Sequence, residues 1–250
     1  MATGNENLPI WAVPEPADRR PRYSRGQIAR AALGIADRDG FDAVTMKRIA
    51  AELGAATMTL YYYVRTKADV IALMQDAILA EVLIPGDEFP AGWREATAAI
   101  ARRARQVLMA HPWSLISFNE TQFGPNAARH FEQSLAATAD TGLAAPARLE
   151  LIAAVDDYVA GSALHGVEAL TRARLAESDP DMVTATITYW TTQLRPDQFP
   201  QLTALYQAGA AAEAIERAAP PMTEDSLTRQ FEQGLAALLD GLAGRLRIGG

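Results

Sequence analysis

The sequence predicts an all-α protein, with an N-terminal three-helix helix-turn-helix domain followed by a larger helical domain. Three observations predict it. Apolar residues recur every three or four positions along most of the 250 residues, without alternating runs bounded by turn residues. Ser24, Thr45 and Thr66 stand where helices need side-chain caps, and Gly40 and Gly54 where they need a residue that can stop them. Within Thr45–Lys67, two short helical patterns meet at Gly54, the layout of a helix-turn-helix.

Composition narrows the setting. An apolar content of 49% with 21% charged residues is an ordinary globular mixture. No run of about 18 apolar residues is present, which predicts no membrane partner. No signal-peptide pattern opens the chain, and there are no cysteines for disulfides, thiolate metal sites or thiol nucleophiles. A cytoplasmic protein is expected. The net charge of −7 is unevenly spread. Residues 1–70 carry 10 Lys and Arg against 8 Asp and Glu, and the remainder 13 against 22, so a basic end precedes an acidic body.

In chain order, residues 1–22 read as a flexible arm, unstructured or loosely docked. Pro9, Pro14, Pro16 and Pro21 prevent a regular helix, and few apolar residues are available to bury. Trp11 is its candidate anchor. Arg19, Arg20 and Arg22 leave two readings open: a solubilising tail, or an arm whose arginines enter a narrow A·T-rich minor groove. The helix-turn-helix domain follows over residues 23–70. Its first helix starts at Ser24, with Gln27 as the other half of a capping box, and buries Ile28, Ala31, Ala32, Ile35 and Ala36. Phe41 and Val44 pack across the small domain. Thr45 caps the second helix, and the third covers about 57–64, with Leu60 and Val64 inward and Thr57, Met58, Tyr61 and Tyr62 outward. A fourth helix, from Lys67 to about Leu83, is long enough to enter a second core.

Residues 71–250 form the larger domain. After a break at Pro85–Pro90, helices are expected at about 91–110, 112–122, 125–141, 146–174, 182–194, 198–209 and 224–246. The 146–174 segment carries Leu149, Ile152, Val155, Val159 and Leu164. The last carries Leu227, Phe231, Leu235, Leu238, Leu242 and Leu246. Such stripes serve a monomer core, or a core and a dimer interface together.

Helix–glycine–helix also occurs in many proteins that never touch DNA. Here the third helix carries three tyrosines in a row, which is poor core material because each buried hydroxyl needs a partner. Outward, those hydroxyls can donate to phosphates, with Lys67 beside them as a point charge.

At R-I-A-A-E-L-G and T-L-Y-Y-Y-V-R-T-K-A-D-V, within about residues 24–72, the chain resembles the TetR family of transcriptional regulators. One departure is Ala56, where many members have a serine cap; Thr57 could take over, shifting the helix start by one residue. The resemblance implies a homodimeric repressor on a palindromic double-stranded operator, released by a small hydrophobic or aromatic effector; the alternatives are an activator or ligand-independent regulator of the same fold, or an all-α carrier or enzyme. It implies base contacts from Thr57, Met58 and Tyr62, and phosphate contacts from Thr59, Tyr61, Tyr63 and Lys67. Thr45 and Lys47 would reach DNA from the second helix. The N-terminal stretch resembles the extension of a subgroup of antibiotic-responsive actinobacterial members, which implies DNA contacts from Arg19, Arg20 and Arg22. The later helices resemble the ligand-binding and dimerisation domain of the tetracycline-repressor type, without its drug- and magnesium-holding residues.

No catalytic constellation is found. His111, His130 and His165 match no zinc spacing, and no phosphate loop or nucleophile elbow occurs, so no enzyme and no cofactor are expected. The Asp156–Asp157 pair reads as solvated or interfacial. A ligand pocket is the better candidate. Trp113, Phe118, Asn119, Gln122, Phe123, His130 and Phe131 supply aromatic walls and polar handles, with Tyr158, His165 and Trp190 closing from other helices. The same composition also suits an ordinary core.

Overall fold

The computed structural model describes residues 8–16, 22–116, 123–193, 197–207 and 223–248, and among these every regular element is a helix. The helices are α1 Arg25–Asp39, α2 Met46–Glu52, α3 Thr57–Leu60, α4 Lys67–Val82, α5 Trp93–Ala110, α6 Trp113–Ile116 and α7 Pro125–Ala137. They continue with α8 Ala145–Ser178, α9 Pro180–Gln193, α10 Pro200–Gln207 and α11 Glu224–Leu246. No described helix is long and apolar enough to cross a membrane.

The local chemistry behaves as the sequence demands. Ser24 Oγ accepts from Gln27 N at 3.2 Å, though only this half of the expected capping box forms, and Thr45 Oγ1 accepts from Arg48 N at 3.2 Å. Thr66 and Asp69 close a complete capping box at the start of α4. Gly40 and Gly54 sit at φ 87° and 62°, which side chains rarely tolerate, and so end α1 and the α2 turn. The α3 start differs from expectation. Ala56 occupies the cap position with no side-chain bond and Thr57 is the first helical residue, so the threonine does not take over capping. The helix is also shorter than 57–64. One α-turn ends at Leu60, and residues 61–63 continue as a turn, with Tyr63 N bonded to Leu60 O at 2.9 Å.

Packing divides the chain into two units, Met1–Leu164 with Ala237–Gly250, and His165–Ala236. Residues 23–70 fall within the first unit together with much of the body. The reason is α4, which packs against α1 on one side and α5 and α7 on the other. Its residues Val70, Met74, Ile78 and Val82 join Ile28, Ile35, Ile49 and Leu60 of the head in one core that also takes Val107 and Trp113. In α8, Leu151, Ile152, Val155 and Val159 are buried while Leu149 and Leu164 stay exposed. The α11 stripe buries Leu227, Phe231, Leu235, Leu239 and Leu242, so Leu239 takes the place expected for Leu238.

Over residues 8–16 the N-terminal stretch is docked rather than unstructured, and more firmly than a loose arm would be. Ile10–Ala12 forms a 3-10 turn, and Ile10 is fully buried in the head core. Arg25 holds this strap down: Nη1 donates to Ile10 O at 3.0 Å and Val13 O at 2.8 Å, and Nε donates to Tyr63 O at 3.1 Å. Arg65 Nη2 adds a bond to Leu8 O at 2.6 Å. Trp11 packs against the same core, as its anchoring role required.

Candidate nucleic-acid interface and effector region

The outward face of α3 is as the sequence placed it. Met58 is 77% exposed, Tyr62 57% and Tyr61 44%, while Leu60 and Val64 are buried. Thr57 and Thr59 are half-buried, and Thr45, Lys47 and Lys67 are exposed. Met58, Tyr61 and Tyr62 together make an exposed, largely apolar face, and a helix-turn-helix presents this face to a groove. Lys67 Nζ lies 5.3 Å from the centre of the Phe41 ring, which fixes a positive charge at the α4 N-terminus.

Tyr63 is a correction. It is 4% exposed and packs edge-on against Tyr23, at 6.5 Å, and Tyr62, at 5.4 Å, so it belongs to the core and not to a phosphate contact. Three residues after Leu60, it falls on the inward side that Leu60 and Val64 define. Arg22 lies with its guanidinium 5.7 Å from the centre of the Tyr23 ring and is exposed. Arg19 and Arg20 lie outside the described residues.

The expected ligand wall is only partly assembled. Phe123 and Phe131 meet edge to face at 6.4 Å, with His130 half-buried beside them on α7. Tyr158 is half-buried on α8. Trp113 is elsewhere. It stacks on Phe41 at 6.0 Å and donates Nε1 to Asp37 Oδ1 at 2.9 Å, inside the core shared with the head. Its large ring follows the fold's main core, as large aromatic rings generally do. His111 joins it, with Nδ1 at 2.9 Å from the same Asp37 oxygen. His165 is exposed in the second unit. Trp190 lies on α9 with its side chain outside the described set, as are Phe118, Asn119 and Gln122.

Groups that the sequence reading passed over appear in their place. Thr97 Oγ1 on α5 and His130 Nδ1 on α7 are buried without hydrogen-bond partners. Burial pulls the His130 imidazole down from its usual value, keeping the ring neutral at physiological pH. Asp156, on α8, lines with Thr97, Ile100 and Ser134 an interior space of about 10 Å³. Desolvation, and then the neighbouring charge of Asp157, push its carboxyl up to about 6, although more than a third of the residue's surface still meets water. Asp156 is exposed, as a solvated or interfacial acid would be, yet part of its side chain faces this interior space. On the opposite face of α7 lies an open apolar groove of about 650 Å³, walled by Leu83, Ile84 and Phe89.

Asp76 is the other group missed. It is 4% exposed on α4, and its Oδ1 accepts from the backbone N–H of Asn126 at 2.9 Å and of Ala127 at 3.0 Å. A carboxylate on the head's last helix thus caps the first turn of α7. Burial pushes the Asp76 carboxyl up, against the pull of those two amides. Gly124, just before α7, has an extended backbone, but a Cβ there would strike Asp76 and come within 2.7 Å of Trp11. The signal in the sequence was Gln75–Asp76, a polar pair inside an otherwise apolar helix. For Arg25 it was the position three residues before Ile28, on the buried stripe.

A helix-turn-helix head with an open third helix, joined through one long helix to an α-helical body, defines a class of DNA-binding regulator. The sequence matches that class directly: residues 28–74 fit the profile of bacterial regulatory proteins of the tetR family, and residues 85–246 the tetracyclin repressor-like C-terminal domain. The chain belongs to the TetR family of transcriptional regulators and is not an enzyme. It is 31% identical to the HTH-type transcriptional repressor DrrR1 of Streptomyces coeruleorubidus, over 89% of this chain and 78% of that protein. It is 26% identical to the class A tetracycline repressor of Escherichia coli, over 87% of this chain and 89% of the repressor. Among solved structures, ActR of Streptomyces coelicolor in complex with actinorhodin superposes with a TM-score of 0.66 at 25% identity, covering 89% of this chain and 96% of ActR.

Proposed function

We propose that the protein is a homodimeric repressor that holds a palindromic operator and releases it when a flat, partly apolar small molecule binds beside α7. The observation that carries this reading is the exposed face of Met58, Tyr61 and Tyr62 on a helix-turn-helix whose other sides are packed. Thr57, Met58 and Tyr62 read bases, and Thr45, Lys47, Thr59, Tyr61 and Lys67 position the head on phosphates. Arg19, Arg20 and Arg22 add contacts next to the head. Lys67→Ala should weaken binding to all sequences alike and lower the salt slope by about one unit. A changed base preference in a binding-site selection would contradict the phosphate role.

The dimer reading rests on two faces. On α8, Ala153, Asp157, Gly161 and Leu164 are exposed in a row, and on α11, so are Ala237, Gly241 and Gly244. A Cβ added at any of the three glycines would meet nothing, so another helix can approach closely there. Two operator half-sites a helical turn apart require two heads.

The effector reading rests on the inner face of α7. Thr97 and His130 bring buried polar atoms without hydrogen-bond partners, Asp156 lines the same space as Thr97, and Phe123 with Phe131 offers an exposed aromatic pair nearby in the chain. ActR, solved with actinorhodin, supports an aromatic ligand class. Room for about one water is far too little for such a molecule, so binding must move α7 outward. The Asp76 cap carries that movement to α4 and the head. A ~100-fold release requires about 2.7 kcal/mol of coupling, and operator must weaken effector binding by the same factor. Calorimetric titration of an effector with and without saturating operator tests this; equal affinities sink the induction reading.

Asp156 adds a pH signature. Its folded pKa of about 6 lies above the unfolded value, so folding disfavours the ionised form and its contribution to stability falls as pH rises from about 4 through about 6. Asp156→Asn should therefore raise Tm slightly above neutral pH, with the gain vanishing below about pH 4. The gain is small because water reaches the carboxylate. A Tm difference independent of pH would show that the group titrates normally.

A further inference from the structure

We propose a second small-molecule site, apart from the inner face of α7, at the joint of the strap, α1, α4 and the start of α7. A cavity of about 680 Å³ opens there, within the range of small-molecule sites. Its apolar surface comes from Val13, Ala29, Leu33 and Leu73. Charge decides what it takes. Three acids line it and each is engaged: Glu15 by Arg25 N at 2.6 Å, Asp76 by the α7 amides, and Glu81 by His111 Nε2 at 3.3 Å. The Arg25 guanidinium is taken up by backbone carbonyls.

Two cationic groups keep donors to offer. Arg30 is exposed and bonds to nothing among the described residues, and Arg129 gives only Nη1, to Asn126 Oδ1 at 3.2 Å. Two guanidinium groups at the edge of a mixed cavity with an apolar floor suit an amphipathic anion. Its carboxylate or sulfonate would take the forked donors, and its ring system would lie on the Leu33 and Leu73 floor. The walls come from the DNA-reading head on one side and from α7 on the other. A molecule that fills the space therefore braces the two together, and biases any equilibrium that changes their spacing.

Anilinonaphthalene sulfonate, an aromatic monoanion, is a suitable probe for the full-length protein. The reporter is the indole N–H resonance of Trp11, which lines the cavity, assigned by its loss in Trp11→Phe. The resonance should shift and saturate as probe is added. In Arg30→Glu/Arg129→Glu the midpoint should rise about ten-fold or more, the loss expected for charge-assisted bonds. Ala80→Trp, which blocks the cavity from an exposed position on α4, should abolish the Trp11 shift while leaving probe bound elsewhere detectable by the other tryptophans. A stationary Trp11 resonance, or equal midpoints in the wild type and the double variant, overturns the proposal whatever the outcome for DNA binding.

Discussion

Replacing Arg25 by alanine should destabilise the protein by about 3 kcal/mol, although the residue touches no surface where DNA could lie. The guanidinium supplies the strap carbonyls of Ile10 and Val13 and the Tyr63 carbonyl behind the recognition helix. Each buried acceptor left unpaired costs about 1–3 kcal/mol, and the total is limited because the strap can lift and let water in. For a chain of this size the loss corresponds to roughly 6–12 °C in Tm. Ile10→Ala should lose about 2–5 kcal/mol from the same core, and the two will not add, since either frees the strap. Arg19→Ala/Arg20→Ala should leave Tm unchanged and weaken operator binding in a salt-dependent way. Removal of residues 1–22 mixes both effects and is not a clean test of DNA contact. An Arg25→Ala protein that melts with the wild type would show the strap to be ornamental.

Asp76→Ala should lower stability by about 2 kcal/mol and sever the head from α7. The alanine orphans the Asn126 and Ala127 amides, and water from the adjoining cavity replaces the carboxylate only in part. Relief of the buried charge offsets part of that loss, because burial already pushes the Asp76 carboxyl up. Amide exchange gives the sharper reading. Protection at Asn126 and Ala127 should collapse while α1 and α4 amides keep theirs to within the global loss. Operator affinity without effector should hold, and the effector's ability to release DNA should shrink to a few-fold. Full induction in Asp76→Ala would route the coupling elsewhere.

Most of the frame was legible because it rests on local chemistry. Caps at Ser24, Thr45 and Thr66, stops at Gly40 and Gly54, and the outward Met58 and Tyr62 follow from spacing and side-chain type alone. What stayed hidden depends on partners distant in sequence. The prolines of residues 9–16 forbid a helix, but they do not reveal that Arg25 and Arg65 supply the hydrogen bonds a helix would have made internally. Tyr63 was misplaced because the tyrosine run was read as one exposed block, although its three-residue spacing from Leu60 already put it on the inward side. Trp113 was misplaced because an aromatic near other aromatics reads as a wall, and only its partners Asp37 and Phe41 show which core it joins. Asp76 carries no signal beyond the polar pair it makes with Gln75, since its partners are backbone amides about fifty positions away.

The close fit of Trp11, Asp76 and Gly124 also orders events in time. Residues that leave the ribosome first normally find partners among those that follow closely, and Ile10 does find Arg25 in this way. Trp11 must wait. At about 5–20 residues per second, Gly124 arrives on the order of ten seconds later. Until then the nascent head holds an indole with one face open to water, beside a half-made core. The head of this chain is read out early but leaves Trp11 uncovered until the body is well under way, so a young chain stalled before α7 should show weaker amide protection over residues 8–16 than the finished protein.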